Sequence, residues 1–201
     1  MTADTRTALL DLAQELAQTR GLNGFSFKNL AEGLGIRTAS IHHHFPTKAD
    51  LAREIMIRYR LQFQTELEKI EKLSRDPHRK LASFMALFRK TLNTGNRICL
   101  CGMLASEFQT LPKPVQHEVQ MFYVETEKWL SGVFNEGRSQ GTYQFIGSAA
   151  NVAKTFLDTL EGGMISARTF RDEKRLVQTG KWLLASLQVR RARRSGMRSQ
   201  Q

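Results

Sequence analysis

The chain has 201 residues, 41% of them hydrophobic, and a formal net charge of +11. This length allows a sizeable core, and a count of two cysteines excludes a disulfide-rich secreted fold. No apolar run approaches the ~18 residues of a membrane span. The N-terminal stretch MTADTRTALLDLAQELAQTRG carries acids at amphipathic spacing rather than a signal peptide's basic start, so we expect a cytoplasmic protein.

The positive charge is unevenly distributed. Residues 1–50 hold five Lys/Arg and five acids, whereas the last twelve residues, RRARRSGMRSQQ, hold five arginines and no acid. A basic total favours an acidic partner such as nucleic acid, but this excess does not mark the N-terminal region. We interpret residues 191–201 as a disordered basic tail, with nonspecific attraction to phosphate as the alternative.

Apolar residues recur at three-to-four spacing along the chain, which predicts an all-α fold of about nine helices. Local signals delimit the first four: Gly21 ends the first, Ser26 caps the second, Pro46 ends the third, and Thr47 with Asp50 forms a cap for the long fourth. The later helices are predicted to begin at Asp76-Pro77 and to cover about 99–110, 114–140, 147–169 and 172–190.

Three consecutive histidines, His42 to His44, lie on the short third helix, predicted at about 38–45. Zinc needs converging ligands, whereas adjacent helical residues diverge by about 100°, so we predict no metal site. A catalytic base needs a nearby nucleophile and an oriented pocket, and the neighbouring sequence supplies neither, so we do not interpret these histidines as catalytic. Ile41 and Phe45 lie one turn apart on the face that we expect to be buried, and His44 lies beside that face.

The opposite face of this helix is short, polar and uncharged. It carries Ala39 and His43, flanked by Thr38, Ser40 and His42. A short helix, a glycine turn and a second short helix form the layout of a helix-turn-helix, whose second helix enters the DNA major groove. Ala39 can meet a thymine methyl, and Ser40 and His43 can hydrogen-bond base edges. The alternative is an ordinary solvated helix.

Residues 24–55 read GFSFKNLAEGLGIRTASIHHHFPTKADLAREI. With its LAEGLGI turn, small-residue helix, HHF and PTKxxL, this string resembles the DNA-binding domain of the TetR family of transcriptional regulators, over residues about 6–55. The resemblance implies a three-helix DNA-binding domain (1–50) joined by a long helix to a helical effector-binding and dimerisation domain (51–190). It further implies a homodimeric regulator, expected to be a repressor, that a small ligand releases from a two-fold operator on double-stranded DNA.

The resemblance also implies roles for single residues. Ser26 and Lys28 would contact phosphate, Thr38, Ala39, Ser40 and His43 would face bases, and Lys48 would bind phosphate at the start of the fourth helix. Two positions depart from the family pattern. His42 stands where the family usually has Tyr, a phosphate contact, and Arg37 stands where a Ser/Thr cap is common. Either Thr38 caps the helix instead, or Arg37 binds phosphate.

The same resemblance places the dimer interface on the last two helices. The predicted interface residues are mainly apolar, with an intramolecular core as the alternative; they are Val152, Phe156, Leu160, Gly163, Met164, Trp182, Leu183 and Leu187.

The effector pocket is predicted around the unusual stretch RICLCGMLASEFQTLP, for an apolar, aromatic or electrophilic ligand. Its candidate residues, which could equally be core, are Phe88, Leu92, Cys99, Cys101, Met103, Leu104, Phe108, Phe122, Tyr123 and Trp129. The cysteine stretch is similar to that of the family's electrophile-responsive branch. Arg97, one helical turn from Cys101 if the helix extends that far, would favour a thiolate. Inert buried cysteines are the alternative.

Two other classes of function are alternatives to a ligand-controlled regulator. An enzyme could use Cys99 or Cys101 as nucleophile with Glu107 and His117, but nothing orients these groups and we predict no enzymatic activity, cofactor or metal. A nucleoid-type or activating DNA binder without a small ligand would also use the exposed face of the third helix. No membrane association is expected.

Overall fold

The structure is a computed structural model that describes residues 3–187, and the basic tail lies outside the described residues. The described part confirms the all-α prediction. Its nine α-helices, with a 3₁₀ turn at Phe108–Thr110 between α6 and α7, are α1 (Ala3–Arg20), α2 (Phe27–Leu34), α3 (Thr38–His44), α4 (Lys48–Leu73), α5 (Pro77–Asn93), α6 (Leu100–Ser106), α7 (Lys113–Ser139), α8 (Ala149–Phe170) and α9 (Glu173–Leu187).

Local capping fixes the helices on either side of α3. Ser26 and Asn29 form a capping box at the start of α2, and Thr47 and Asp50 form one at the start of α4, as their spacing predicts. Gly35 ends α2 with a φ of 65°, a left-handed conformation that glycine adopts without strain. Helix α3 itself has Arg37 at its N-cap and no side-chain cap, so the predicted capping role of Thr38 is not realised.

Tertiary packing therefore holds α3 in place. Ile41 and Phe45 are 0% and 1% exposed, as predicted for this face, and they belong to the core that also contains Leu9 of α1 and Leu51 of α4. A seven-residue helix is marginal by itself in water, so this burial rather than propensity stabilises it.

Helices α7, α8 and α9 pack in succession, with α5 against α7 and α9. Gly163 lets α8 approach α9, because a Cβ there would lie 3.2 Å from the Thr179 side chain. The helix predicted at 99–110 is shorter than expected: α6 ends at Ser106, and the 3₁₀ turn follows Glu107. No helix in the described range is long and apolar enough to cross a membrane.

We refer to α1–α3 as the head and to α5–α9 as the body, with α4 running between them. The C-terminal end of α1 is fastened to the body at a joint. The Gln18 amide donates to the Ile98 carbonyl (2.9 Å), and the Ile98 N–H donates back to the Gln18 carbonyl (3.2 Å). Arg168 of α8 donates to the carbonyls of Gln18 and Thr19. Glu107 accepts from the N–H of Leu22 at 2.7 Å. The Arg168 and Glu107 contacts are charge-assisted, and together with the neutral Gln18–Ile98 pair they fix the orientation of the head on the body.

Candidate nucleic-acid interface and effector cleft

Helix α3 presents the patch of side chains that the sequence predicts for base contacts. Thr38, Ala39 and His43 are exposed and Ser40 is half-buried, whereas Ile41 between them is buried. Nothing in the described part of the chain covers this patch. Its small and polar side chains can approach base edges in a major groove.

The histidines around the patch have separate surroundings. His42 is exposed, its ring lies edge-on to Phe27 at 5.0 Å, and its Nδ1 is 3.2 Å from the Pro46 carbonyl oxygen. His44 is half-buried and lies beside the buried face, as expected. His42 therefore joins α2 to the turn after α3 while its ring remains accessible.

Four of the five predicted phosphate contacts are accessible, the exposed His42 among them, and one is not. Ser26, Lys28 and Arg37 are exposed at the helix starts. Lys48 instead turns inward: its ammonium donates to the Phe25 carbonyl and lies 4.7 Å from the Phe25 ring centroid. Burial lowers the pKa of Lys48, and the charge of Glu107 partly offsets this. Before DNA is bound, Lys48 is thus engaged within the chain.

The ten predicted pocket residues do not line one cavity, which corrects the prediction. Phe88 and Cys99 border a small internal void of about 10 Å³. Phe108 and Tyr123 line an open groove beside α7, and Trp129 lines another surface depression. The others pack in or against the core of the described chain: Leu92, Cys101, Met103, Leu104 and Phe122. The spacing of aromatic residues in the sequence does not distinguish core, groove and void positions, because these arise from the packing of helices that are distant in sequence.

A cleft of about 340 Å³ lies at the joint and was not predicted. Gln14 and Gln18 of α1, Tyr59 and Phe63 of α4, and Arg97 of the loop before α6 contribute to its walls. Tyr59 and Phe63 also border the internal void, so the void lies directly behind the cleft.

The two thiols lie in a buried polar cluster behind Tyr59. The Tyr59 hydroxyl is 3.5 Å from the sulfur of Cys99. Burial tends to raise the pKa of Cys99, but polar hydrogens around its sulfur, first that of Cys101, lower it to about 6. Burial raises the pKa of Cys101 well above its usual value. Glu161 lies in the same cluster, and burial raises the pKa of its carboxyl well above the usual range. Neither of its oxygens has a well-formed hydrogen bond within the described residues.

The predicted partnership of Arg97 with Cys101 is corrected. Helix α6 begins at Leu100, so Arg97 lies in the preceding loop rather than one turn away on the helix. Its guanidinium is paired with Glu15 of α1 at 2.7 Å. Cys99, at the N-cap of α6, rather than Cys101, is the thiol that borders the void.

The predicted interface residues divide into two groups. Phe156, Leu160, Met164 and Leu183 are at most 6% exposed and pack inside their own chain, so they are unavailable to a partner. Trp182 is 69% exposed, and the remaining three, Val152, Gly163 and Leu187, are half-buried. Exposed apolar side chains that the prediction missed, Ile165 and Phe170, lie on α8.

Comparison with known proteins agrees with this geometry. The family of bacterial regulatory proteins called the tetR family matches residues 9–55. A TetR-family transcriptional regulator from Agrobacterium tumefaciens is 30% identical, with a TM-score of 0.90, 92% of this chain covered and 98% of that chain. The transcriptional repressor KstR2 of Rhodococcus jostii is 39% identical over 51 residues, 25% of each chain. KstR2 of Mycolicibacterium smegmatis is 25% identical over 149 residues, 71% of this chain and 69% of that protein.

A helix-turn-helix head on a helical body defines the class of the protein as a transcriptional regulator. The chain belongs to the TetR family.

Sequence reasoning missed Gln18, Arg168 and the joint role of Glu107, because hydrogen bonds across 80 or more residues leave no local signal. Glu161 did have one. It falls on the apolar stripe of α8 with Leu157, Leu160 and Met164, where a carboxylate is out of place. No group of three or more His, Cys, Asp and Glu in the described residues could hold a metal ion.

Proposed function

We propose that the protein is a sequence-specific DNA-binding repressor that binds a two-fold operator as a homodimer and that a small ligand releases. The observation that carries the proposal is the α3 patch. Ala39 and His43 are exposed on the face opposite the buried Ile41, and Thr38 is exposed at the start of the same helix, within a capped helix-turn-helix. We assign Ser40 and these three to bases, and Ser26, Lys28, Arg37 and His42 to phosphates.

We assign Lys48 a conditional role. Its ammonium is bound to the Phe25 carbonyl, so it reaches a phosphate only by leaving that contact. Its pKa is lowered by burial, and transfer to a phosphate would raise that pKa, because an adjacent anion favours the charged form. The domain boundaries carry over as a proposal: residues 1–50 read DNA, and 51–190 bind the effector and the partner, with 188–190 outside the described range.

Repression is supported by the similarity to proteins named as repressors. Dimerisation is supported by the exposed apolar surface of α8 and α9. Trp182, Ile165 and Phe170 are 48–69% exposed there, and such side chains gain free energy when a second copy covers them. A two-fold pair presents α3 twice, which requires two related half-sites.

Binding to DNA upstream of the protein's own gene tests the first part. Fluorescence anisotropy against an excess of unrelated DNA separates sequence-specific from nonspecific binding. His43→Ala should weaken specific binding about tenfold, since one base contact contributes ~1–3 kcal/mol, and should leave nonspecific affinity unchanged. His117→Ala on α7 is the matched control. Equal affinity of the protein for all DNA, or no effect of His43→Ala, would contradict the base-reading role.

Sedimentation tests the dimer. Trp182→Ser should shift the protein toward monomer, whereas Leu73→Ser, at a still more exposed position at the end of α4, should not. If both variants remain dimeric, the interface lies elsewhere.

An electrophilic effector is a second form of release that one observation favours: Cys99 borders the void behind the cleft, with its pKa lowered to about 6. A thiolate at neutral pH is the nucleophile for maleimides and quinones. N-ethylmaleimide should weaken DNA binding by the protein and by Cys101→Ser, but not by Cys99→Ser. Unchanged DNA affinity after verified alkylation of both thiols would exclude this form of release.

A further inference from the structure

We propose that the cleft at the joint binds an amphipathic organic acid, and that its acid group displaces Glu15 from Arg97. The proposal deepens the effector-controlled function proposed above and depends on it for its regulatory meaning. The binding event itself is testable without DNA.

The cleft lies where a ligand would touch head and body at once. Its volume of about 340 Å³ falls within the ~300–1,000 Å³ of small-molecule pockets. Gln14 and Gln18 belong to α1, whereas Thr91 belongs to α5 of the body. A bound molecule therefore contacts the head and the body at the same time.

The polar side of the cleft favours an anion. Lys90 and Arg97 line it, and the carboxylate of Glu66, which also lines it, already lies 2.6 Å from the Lys69 ammonium. One terminal nitrogen of Arg97 is paired with Glu15, while its Nε is buried without a hydrogen-bond partner among the described residues. A guanidinium with an unused donor can bind an incoming carboxylate or sulfonate through two hydrogen bonds.

The inner wall of the cleft favours an apolar or aromatic body. Tyr59 and Phe63 lie there with ring centroids 6.4 Å apart and nearly parallel planes, and Leu87 lies beside them. The void behind them measures only about 10 Å³, the space of one water. The body of the ligand thus lies flat against Tyr59 and Phe63 rather than entering the core.

The acid group would act on the joint. Arg97 to Glu15, at 2.7 Å, connects the loop before α6 to α1, and Gln18 to Ile98 connects the same two segments. A ligand anion that binds Arg97 competes with Glu15 and weakens the attachment of the head. Such a ligand has a higher affinity for the loosened arrangement, which is the condition for it to shift the head.

A pair of dyes tests the chemistry. Anilinonaphthalene sulfonate is an aromatic anion, and N-phenyl-1-naphthylamine has the same rings without the sulfonate. Fluorescence titration of the full chain should show one sulfonate-dye site per chain. Lys90→Gln/Arg97→Gln should weaken that site by about tenfold or more, the value of one charge-assisted hydrogen bond, with little change for the neutral dye. Lys72→Gln/Lys174→Gln removes the same charge from exposed positions outside the cleft and should change neither dye.

A second titration tests the competition with Glu15. Glu15→Gln should tighten binding of the sulfonate dye, because the rival carboxylate is gone. Asp11→Asn, on the same helix but paired with Arg58, should not. The proposal is overturned if the double variant binds the anion as well as the unmodified protein does, if both dyes lose affinity together, or if Glu15→Gln fails to tighten binding. Failure of the protein to bind its operator would instead contradict the proposed function and leave these titrations unaffected.

Discussion

The head and the body differ in the polar groups that they bury. In the described part of the head, Gln18 is the buried polar side chain, and it lies at the joint rather than in the centre. The body buries Lys80, Glu118, Thr126 and Glu161. The head thus holds an apolar core, whereas the body buries polar groups, of which Lys80 and Glu118 are paired with residues of other helices and Glu161 is not. Removing one partner of a buried ion pair in the body should therefore destabilise the protein far more than changing an exposed side chain of α3.

The largest effect expected from this difference is at Arg60, which joins α4 to Glu118 and Glu125 of α7 at 3.2 and 2.7 Å. Arg60→Leu leaves the 8%-exposed Glu118 carboxylate without its partner and should destabilise the protein by about 3 kcal/mol. Urea unfolding at fixed protein concentration measures this. Arg89→Leu, which breaks the exposed pair with Glu173, is the control and should change little. Equal losses in the two variants would mean that burial does not distinguish these ion pairs.

The second effect concerns Glu161, whose pKa burial raises well above the usual 4.5. Below about pH 4.5 the carboxyl is protonated in both the folded and the unfolded chain. As pH rises, the unfolded chain ionises first, so the free energy of unfolding falls until the folded pKa is reached. Glu161→Gln removes this loss, and its stability advantage over the unmodified protein should grow from pH 4.5 to pH 8. An advantage that stays constant with pH would contradict an uncharged Glu161 in the folded state.

A smaller effect is expected from the caps around α3. Thr47→Ala removes a side chain that accepts from the Asp50 N–H, and should cost about 1 kcal/mol of unfolding free energy. Thr38→Ala should cost clearly less, because Thr38 is the first residue of α3 rather than its cap. Thermal unfolding of both variants compares them. A larger loss for Thr38 would indicate a contact of its hydroxyl beyond those described.

The smallest effect on stability is expected at Lys28, whose side chain is 82% exposed and lies 3.9 Å from Glu32. Lys28→Gln should leave unfolding unchanged within error. If Lys28 contacts phosphate, the slope of log affinity against log salt for DNA should fall by about 1. An unchanged salt slope would remove Lys28 from the proposed interface and leave the α3 patch intact.

The head was predictable because its signals are local. The capping residues Ser26 and Thr47, the turn at Gly35 and the buried pair Ile41 and Phe45 all act within a few residues of one another, and the structure places each as the sequence indicates. Lys48 is the exception in this region. Its inward turn depends on the Phe25 carbonyl, 23 residues away.

The body was predictable only as a set of amphipathic helices. Phe88 and Trp129 carry the same apolar signal, yet one borders the internal void and the other a surface depression. Met164 and Trp182 were both candidates for a partner's surface, and only Trp182 is exposed. An apolar residue of an amphipathic helix can face the core, a cavity or solvent. Which of these it faces depends on the packing angles between helices, and contacts between segments distant in sequence set those angles.

The absence of a side-chain cap on α3 has a consequence for how this protein can diversify. Two buried side chains, Ile41 and Phe45, anchor the helix, while Ala39 and His43 are exposed and the ring of His43 lies against that of its neighbour His44. If these positions contact bases as proposed, new side chains there would alter which DNA sequence is preferred while the fold stays intact. The residues that anchor α3 are different from those proposed to contact bases. A duplicated copy could therefore acquire a new set of target genes through a handful of substitutions.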